Sequence, residues 1–81
     1  MPLDPTIAAF SKRRSEILHD VSSSGSEIDR WLETHTQDDP SIKALGELEG
    51  LLLRRRDILE TLMTLDDEIM EHLIKRRSHP L

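Results

Sequence analysis

The sequence predicts an all-α protein: an antiparallel hairpin of two long helices that dimerises into a four-helix bundle. The first observation is composition, because Val occurs once, Tyr is absent, and Leu, Ile and charged residues dominate, which favours helix over sheet. The second is a phrase that occurs twice, DPTIAAF from Asp4 and DPSIKAL from Asp39. Each copy reads as a helix start, with an Asp cap followed by Pro in the first turn.

Length and the lack of cysteine limit the class of protein. A chain of 81 residues forms one domain at most. Its length is near the lower limit for domains that fold without disulfides or a bound metal. Without cysteine, neither a disulfide nor a thiolate metal site can form. The N-terminal residues carry no secretory signal, and no stretch is apolar enough to span a membrane. We therefore expect a cytoplasmic protein with no membrane contact.

The first predicted helix covers about 5–34. Apolar side chains recur along it at helical spacing: Ile7, Phe10, Ile17, Leu18, Val21, Ile28, Trp31 and Leu32. The segment SSSGS at 22–26 interrupts this pattern and leads into Glu27 in the form of a capping box, so the helix could break and restart there. The seven-residue interval from Val21 to Ile28 instead favours a continuous or kinked helix.

The second predicted helix covers about 40–77, after a short loop at 35–39 that makes the two helices antiparallel neighbours. Gly46 and Gly50 lie inside it, where each costs about 1 kcal/mol relative to alanine but allows a neighbouring helix to approach closely. One set of apolar residues forms the predicted core of the hairpin and of its dimer: Ile17, Val21, Ile28, Leu48, Leu51, Ile58, Leu62, Leu65 and Ile69.

The apolar stripes are wider than a seam between two helices requires. A hairpin covers only one side of each stripe, whereas two hairpins in a four-helix bundle close the core. We therefore expect a homodimer, or a complex with another helix-rich protein.

No pattern in the sequence favours catalysis, a cofactor or a metal. A Gly-x-Ser-x-Gly elbow is missing, and three isolated glycines do not form a phosphate loop. Glu16 and His19 have the Glu-x-x-His spacing of di-iron bundles, with Glu60 at a similar height. Inward-facing Ile17 puts both residues on the flanks, whereas metal ligands of bundles project into the core. We expect a non-enzymatic protein.

Three basic runs occur in this acidic chain, the central one being Arg54-Arg55-Arg56. Acidic residues lie close to each run, so we interpret them as partners in ion pairs between the helices. A turn near residue 37 places Arg55 level with Asp20, and Arg13 within about a turn of Asp66. A net charge of −5 and only two aromatic residues argue against nucleic acid. A small RNA-binding dimer that uses the central run is the remote alternative.

Three apolar residues lie off the core stripe of the second helix. Met63, Met70 and Ile74 are seven and four residues apart, so they share one helical face, which Trp31 of the first helix could join. Methionine is flexible and polarizable, which suits a surface that adapts to another helix. These residues either bind a partner or are buried in the dimer.

The stretch LEGLLLRRRDILETLMTLDDEIMEHLIKRR at 48–77 resembles the small, acidic, helical flagellar and type III export chaperones of the FliT/FlgN kind, which carry Leu-Leu-x-x-Arg-Asp-x-Leu repeats. The resemblance implies a non-enzymatic protein whose helical stripe covers an aggregation-prone segment of a client. The function that we expect is an adaptor or export-chaperone-like module that binds a helical segment of a partner. The alternative is a pure oligomerisation module.

Overall fold

The fold was obtained as a computed structural model that describes residues 4–37 and 39–78. It contains two helices, α1 over Pro5–Thr34 and α2 over Ile42–Ser78, which pack against each other along their length. The molecule is a rod of 64 × 20 × 14 Å. The predicted all-α antiparallel hairpin is confirmed.

Helix α1 begins as the DPT motif predicts. Asp4 is the N-cap, and its Oδ1 accepts hydrogen bonds from the backbone N–H groups of Thr6 at 2.9 Å and Ile7 at 3.4 Å. Pro5 occupies the first helical position, where a missing N–H group costs nothing. At the other end, the N–H group of His35 donates to the carbonyl oxygens of Trp31 and Leu32.

Helix α2 begins two residues later than the second copy of the motif predicts. Ser41 is the cap, since its Oγ accepts a hydrogen bond from the N–H group of Ala44 at 3.1 Å and its carbonyl oxygen accepts one from Leu45 at 2.9 Å. The helix therefore starts at Ile42, and Asp39 and Pro40 belong to the loop. A serine hydroxyl caps as well as a carboxylate does, so the repeated phrase contains two candidate caps and the chain uses the later one.

Helix α1 runs through 22–26 without a break. Ser24 faces α2 and is only 3% exposed, while Ser26 donates its hydroxyl to the carbonyl oxygen of Ser22 at 3.1 Å. A serine that bonds back to its own helix can satisfy its hydroxyl without a cap. The possible capping box is therefore not used.

A seam with a strict heptad period joins the two helices. The side chains on it follow one another at alternating intervals of three and four residues, and all are buried or half-buried. In α1 they are Phe10, Arg14, Ile17, Val21, Ser24, Ile28 and Trp31, and in α2 they are Ala44, Leu48, Leu51, Arg55, Ile58, Leu62, Leu65, Ile69 and His72. This period is that of an antiparallel coiled coil, in which the seam residues occupy the a and d positions.

Two ion pairs across this seam show the register of the hairpin. Arg14 Nε lies 2.9 Å from Asp66 Oδ1, and Arg54 Nη1 lies 3.7 Å from Glu27 Oε2. Facing residues thus have numbers that sum to about 80. The predicted level of Arg55 with Asp20 is wrong, because these pairs place the turn near residue 40 rather than near residue 37. Arg55 instead lies beside Gly25.

The hairpin encloses a small core. Among the described residues, the buried apolar side chains are Ile17 and Ile28 at 8% exposure and Leu65 at 1%. The other predicted core residues lie on the seam but are half-buried: Val21, Leu48, Leu51, Ile58, Leu62 and Ile69. Two helices cover only one side of each side chain, so most of the predicted core stays partly exposed in a single hairpin.

Gly46 and Gly50 do not contact α1. A Cβ atom built on either one meets no described atom within 4 Å. The close approach predicted from them is therefore absent within the hairpin, and each glycine only raises the conformational entropy of the unfolded chain.

We expect Gly46→Ala and Gly50→Ala each to raise the free energy of unfolding by about 0.5–1 kcal/mol, because alanine has the higher helix propensity and fits open space. Urea denaturation followed by far-UV circular dichroism measures the change. Destabilisation by either variant would mean that another chain packs against these glycines.

Candidate functional site

One side of the hairpin is lined by leucines from both helices. They occupy the e positions of the heptads, and in an antiparallel pair the e positions of both helices lie on the same side. We call this surface the leucine face: Leu18, Leu32, Leu45, Leu52, Leu59 and Leu73. Five of the six leucines are 41–49% exposed, and Leu59 is half-buried.

The opposite side, formed by the g positions, is polar. It consists of charged and hydroxyl side chains: Arg13, Asp20, Glu27, Thr34, Glu47, Arg54, Thr61, Glu68 and Lys75. The ion pair between Glu27 and Arg54 lies there. The hairpin is therefore amphipathic as a whole, with an apolar side and a charged side, in addition to the seam between its helices.

A concave patch lies at the α2 edge of the leucine face. Its volume is about 340 Å³, and it is lined by Leu52, Leu59 and Met63 together with Arg55, Arg56 and Glu60. The predicted partner-binding residues of α2 continue from this patch toward the C-terminus. Met63 is 66% exposed, Met70 58% and Ile74 47%, and we call these three residues the methionine strip.

Trp31 does not join the methionine strip. It lies on the seam level with Leu51, and by helical rise Met63 is about 18 Å further along α2. Its ring stacks on His35 with centroids 3.9 Å apart, and both border a groove of about 330 Å³. The indole Nε1 is buried without a hydrogen-bond partner among the described residues. The sequence pattern could not distinguish a seam tryptophan from an exposed one, since both fit the helical period.

The central arginines are engaged within the hairpin. Arg54 pairs with Glu27, and Arg56 Nε lies 3.4 Å from Glu60 Oε1 one turn away. Arg55 is half-buried on the seam. Arg54 therefore pairs between the helices as predicted, whereas Arg56 pairs within α2, and the two side chains stay 66% and 73% exposed.

A cluster of charged residues joins the start of α1 to the last turns of α2, at the open end of the hairpin. Oδ2 of Asp4 accepts hydrogen bonds from Arg76 Nη1 at 2.6 Å and from His72 Nε2 at 3.2 Å, and Phe10 packs edge-on against His72. The hydrogen bond from His72 lowers the pKa of Asp4 below its usual value of 3.8, helped by the N–H groups of the first turn and by Arg76. Asp4 thus caps α1 and holds the last turns of α2.

The stabilising effect of Asp4 should depend on pH. A carboxyl group whose pKa is lower in the folded than in the unfolded protein stabilises the fold at pH values above its pKa in the unfolded protein. This stabilisation is lost as the pH falls through the pKa of the folded protein. We expect Asp4→Asn, which keeps a capping side chain, to lower the melting temperature at pH 7 and to lower it less at pH 3. Thermal melts at both pH values measure the difference. An equal deficit at the two pH values would contradict an ionic role for Asp4.

The residues with the di-iron spacing lie on the surface of the hairpin. Glu16 and His19 are exposed on α1, and within residues 4–37 and 39–78 no group of three or more His, Asp or Glu side chains is arranged to hold a metal ion. In the same residues, neither helix combines the length and the apolar character needed to cross a membrane.

Comparison with family models, with curated proteins and with solved structures finds no match for this chain. The function is therefore inferred from the surfaces of the hairpin.

Proposed function

We propose that the protein is a non-enzymatic interaction module that binds helices of other polypeptides, including those of its own kind. One observation carries this proposal: among the described residues, eleven large apolar side chains are exposed and only three are buried. Scattered exposed leucines are normal on a soluble protein, whereas a continuous apolar surface marks a binding site. The leucine face draws on both helices, and in α2 its leucines are interrupted at one heptad, by Asp66.

The chemistry of the methionine strip favours a helical partner. Met63, Met70 and Ile74 are spaced by seven and four residues, which is the spacing that packs along another helix. Flexible methionine side chains adapt to different apolar residues in the partner. The strip borders the leucine face but faces further outward, so a partner can bind there while the leucine face is covered by another chain. This arrangement supports an adaptor or chaperone-like role in the cytoplasm.

A pure oligomerisation module is the second candidate. The amphipathic character of the whole hairpin favours it, since a bundle of hairpins needs no other partner to cover the leucines. An RNA-binding dimer has less support, because Arg54 and Arg56 are paired with acids and Arg55 is half-buried.

The two candidates differ in what the methionine strip does. We expect wild-type protein immobilised from a cell extract to retain a specific partner, and Met63→Glu/Met70→Glu to lose it. The control is Thr61→Glu/Thr64→Glu, which adds the same charge to exposed positions of α2 outside the strip and should keep the partner.

Light scattering on all three proteins separates loss of a partner from loss of assembly. A double methionine variant that keeps its assembly state but loses the partner supports the adaptor. Wild-type protein that assembles with itself and retains nothing else would favour the oligomerisation module, and a double methionine variant that dissociates would place the strip inside the assembly.

A further inference from the structure

We infer that the leucine face is the dimer interface, and that a second copy of the chain lies on it in antiparallel orientation about a two-fold axis that passes Leu59. This inference rests on the proposed function and names the first partner of the module. It is argued from the positions of leucines, of a glycine and of charged residues on the two helices.

The first argument is the symmetry of the leucines in α2. Leu45 and Leu73 lie 14 residues on either side of Leu59, which is two heptads in each direction. A two-fold axis at Leu59, perpendicular to the helices, therefore places Leu45 against the partner's Leu73 and Leu59 against the partner's Leu59. A surface that meets itself in this way forms the isologous contact of a symmetric dimer.

The second argument applies the same axis to the residues of α1. Facing residues of the hairpin sum to about 80, as the pairing of Arg14 with Asp66 shows, so an axis at Leu59 crosses α1 near residue 21. That axis brings Leu18 against the partner's Gly25, both of which occupy e positions. A leucine against a glycine lets two helices approach closely without a void, because the leucine side chain fills the space that the glycine leaves empty.

Gly25 is otherwise unexplained within the hairpin. It lies in the middle of a continuous helix, where glycine is unfavourable, and a Cβ atom on it would only meet Arg55 at 3.9 Å, an ordinary contact. Nothing in a single copy requires glycine at this position, whereas the space above it is what the partner's Leu18 needs.

The third argument is charge. The leucine face is interrupted in α2 by Asp66, which lies seven residues from Leu59 and is exposed although it pairs with Arg14. The same axis turns Asp66 toward the turn of the partner that contains Leu52 and Arg56. The partner's Arg56 can therefore reach this carboxylate, and opposite charges across the axis favour the antiparallel orientation over others.

The size of the face is sufficient for a stable dimer. The leucines from Leu45 to Leu73 cover about 42 Å of helix on a hairpin 20 Å wide, which is about 840 Å² in projection, close to the roughly 800 Å² per partner that stable interfaces bury. Covering it would enclose the half-buried side chains of Leu48, Leu62 and Ile69, which two helices alone leave incompletely covered. The second copy thus completes the core that the hairpin begins.

The test compares two neighbouring leucines. Leu52 and Leu53 are almost equally exposed, at 49% and 51%, but only Leu52 lies on the leucine face. We expect Leu52→Glu/Leu59→Glu to raise the dimer dissociation constant at least about 100-fold and Leu53→Glu to change it less than about threefold, measured by sedimentation equilibrium. The glutamate introduced at position 52 can pair with Arg56 one turn away, which preserves the helix.

Cysteine cross-linking tests the axis in folded protein, since the chain itself has no cysteine. We expect oxidised Leu59→Cys to form a covalent dimer and Leu53→Cys to stay monomeric on a denaturing gel. A wild-type protein that sediments at 9.3 kDa would overturn the dimer. Cross-linking of the Leu53→Cys variant but not of Leu59→Cys would overturn the leucine face, and a dimer that neither variant cross-links would overturn the axis.

These outcomes are separable from failure of the proposed function. Loss of a partner in Met63→Glu/Met70→Glu leaves the Leu59→Cys cross-link intact if the dimer uses the leucine face. A confirmed cross-link together with no captured partner would retain the dimer and remove the adaptor.

Discussion

Replacing Leu65 by alanine is expected to destabilise the hairpin more than any other leucine truncation. Leu65 is 1% exposed and is the large side chain that the described fold encloses completely. Truncating such a side chain to alanine lowers the free energy of unfolding by about 2–5 kcal/mol, because apolar contacts are lost and a cavity is left behind. This loss is comparable to the whole stability of a small domain. The expected result is a chain that is largely unfolded at 37 °C in far-UV circular dichroism.

Two other truncations provide the comparison. Leu53→Ala changes a leucine that is 51% exposed and should alter the free energy of unfolding by about 0.5 kcal/mol or less. Leu62 belongs to the core predicted from the sequence, but it is only half-buried, so Leu62→Ala should cost less than Leu65→Ala. A larger loss at Leu62 would show that another chain buries it more deeply than the hairpin does.

Proline at position 23 should be nearly as damaging. Ser23 is exposed in the middle of the continuous α1, where proline removes one backbone hydrogen bond and clashes with the preceding turn. We expect Ser23→Pro to cost about 3 kcal/mol or more, measured by urea denaturation. The reason is entirely a matter of backbone geometry, since the serine side chain faces solvent.

The matched control is Ser23→Ala, which keeps the backbone N–H group and should be neutral or slightly stabilising. If Ser23→Pro were tolerated as well as Ser23→Ala, α1 would have to break within the segment SSSGS. Such a result would restore the two-part first helix that the sequence leaves open.

The sequence predicts the helices well because their signals are local. Asp4 and Pro5 are read without knowledge of the rest of the fold, and the heptad spacing from Val21 to Ile28 survives through the serines. The first residue of α2 is harder to predict, since Asp39 and Ser41 are both good caps and only the loop geometry selects Ser41. The error in the level of Arg55 comes from placing the turn near residue 37, whereas the pairs across the hairpin place it near residue 40.

The surfaces are harder to predict than the helices. Helical periodicity cannot tell whether Trp31 lies on the seam or among the exposed apolar residues. The apolar stripe of the sequence is wider than the seam and contains residues of both groups. The sequence could identify Met63, Met70 and Ile74 as one face, since they belong to one helix. It could not identify the leucine face, because that surface combines Leu18 and Leu32 with residues of α2, and combining them requires the register of the hairpin.

The ion pairs along the seam also order the events of folding. The sequence separation of the paired residues grows from 27 for Glu27 and Arg54 to 52 for Arg14 and Asp66, and reaches 72 for Asp4 and Arg76. The entropy lost on closing a loop increases with its length. Contacts next to the turn should therefore form first, and pairing of the two helices should then extend from the turn to the open end of the hairpin. Asp4 would then be the last residue to engage and the first to release, so amide hydrogens near it should exchange faster than those near the turn.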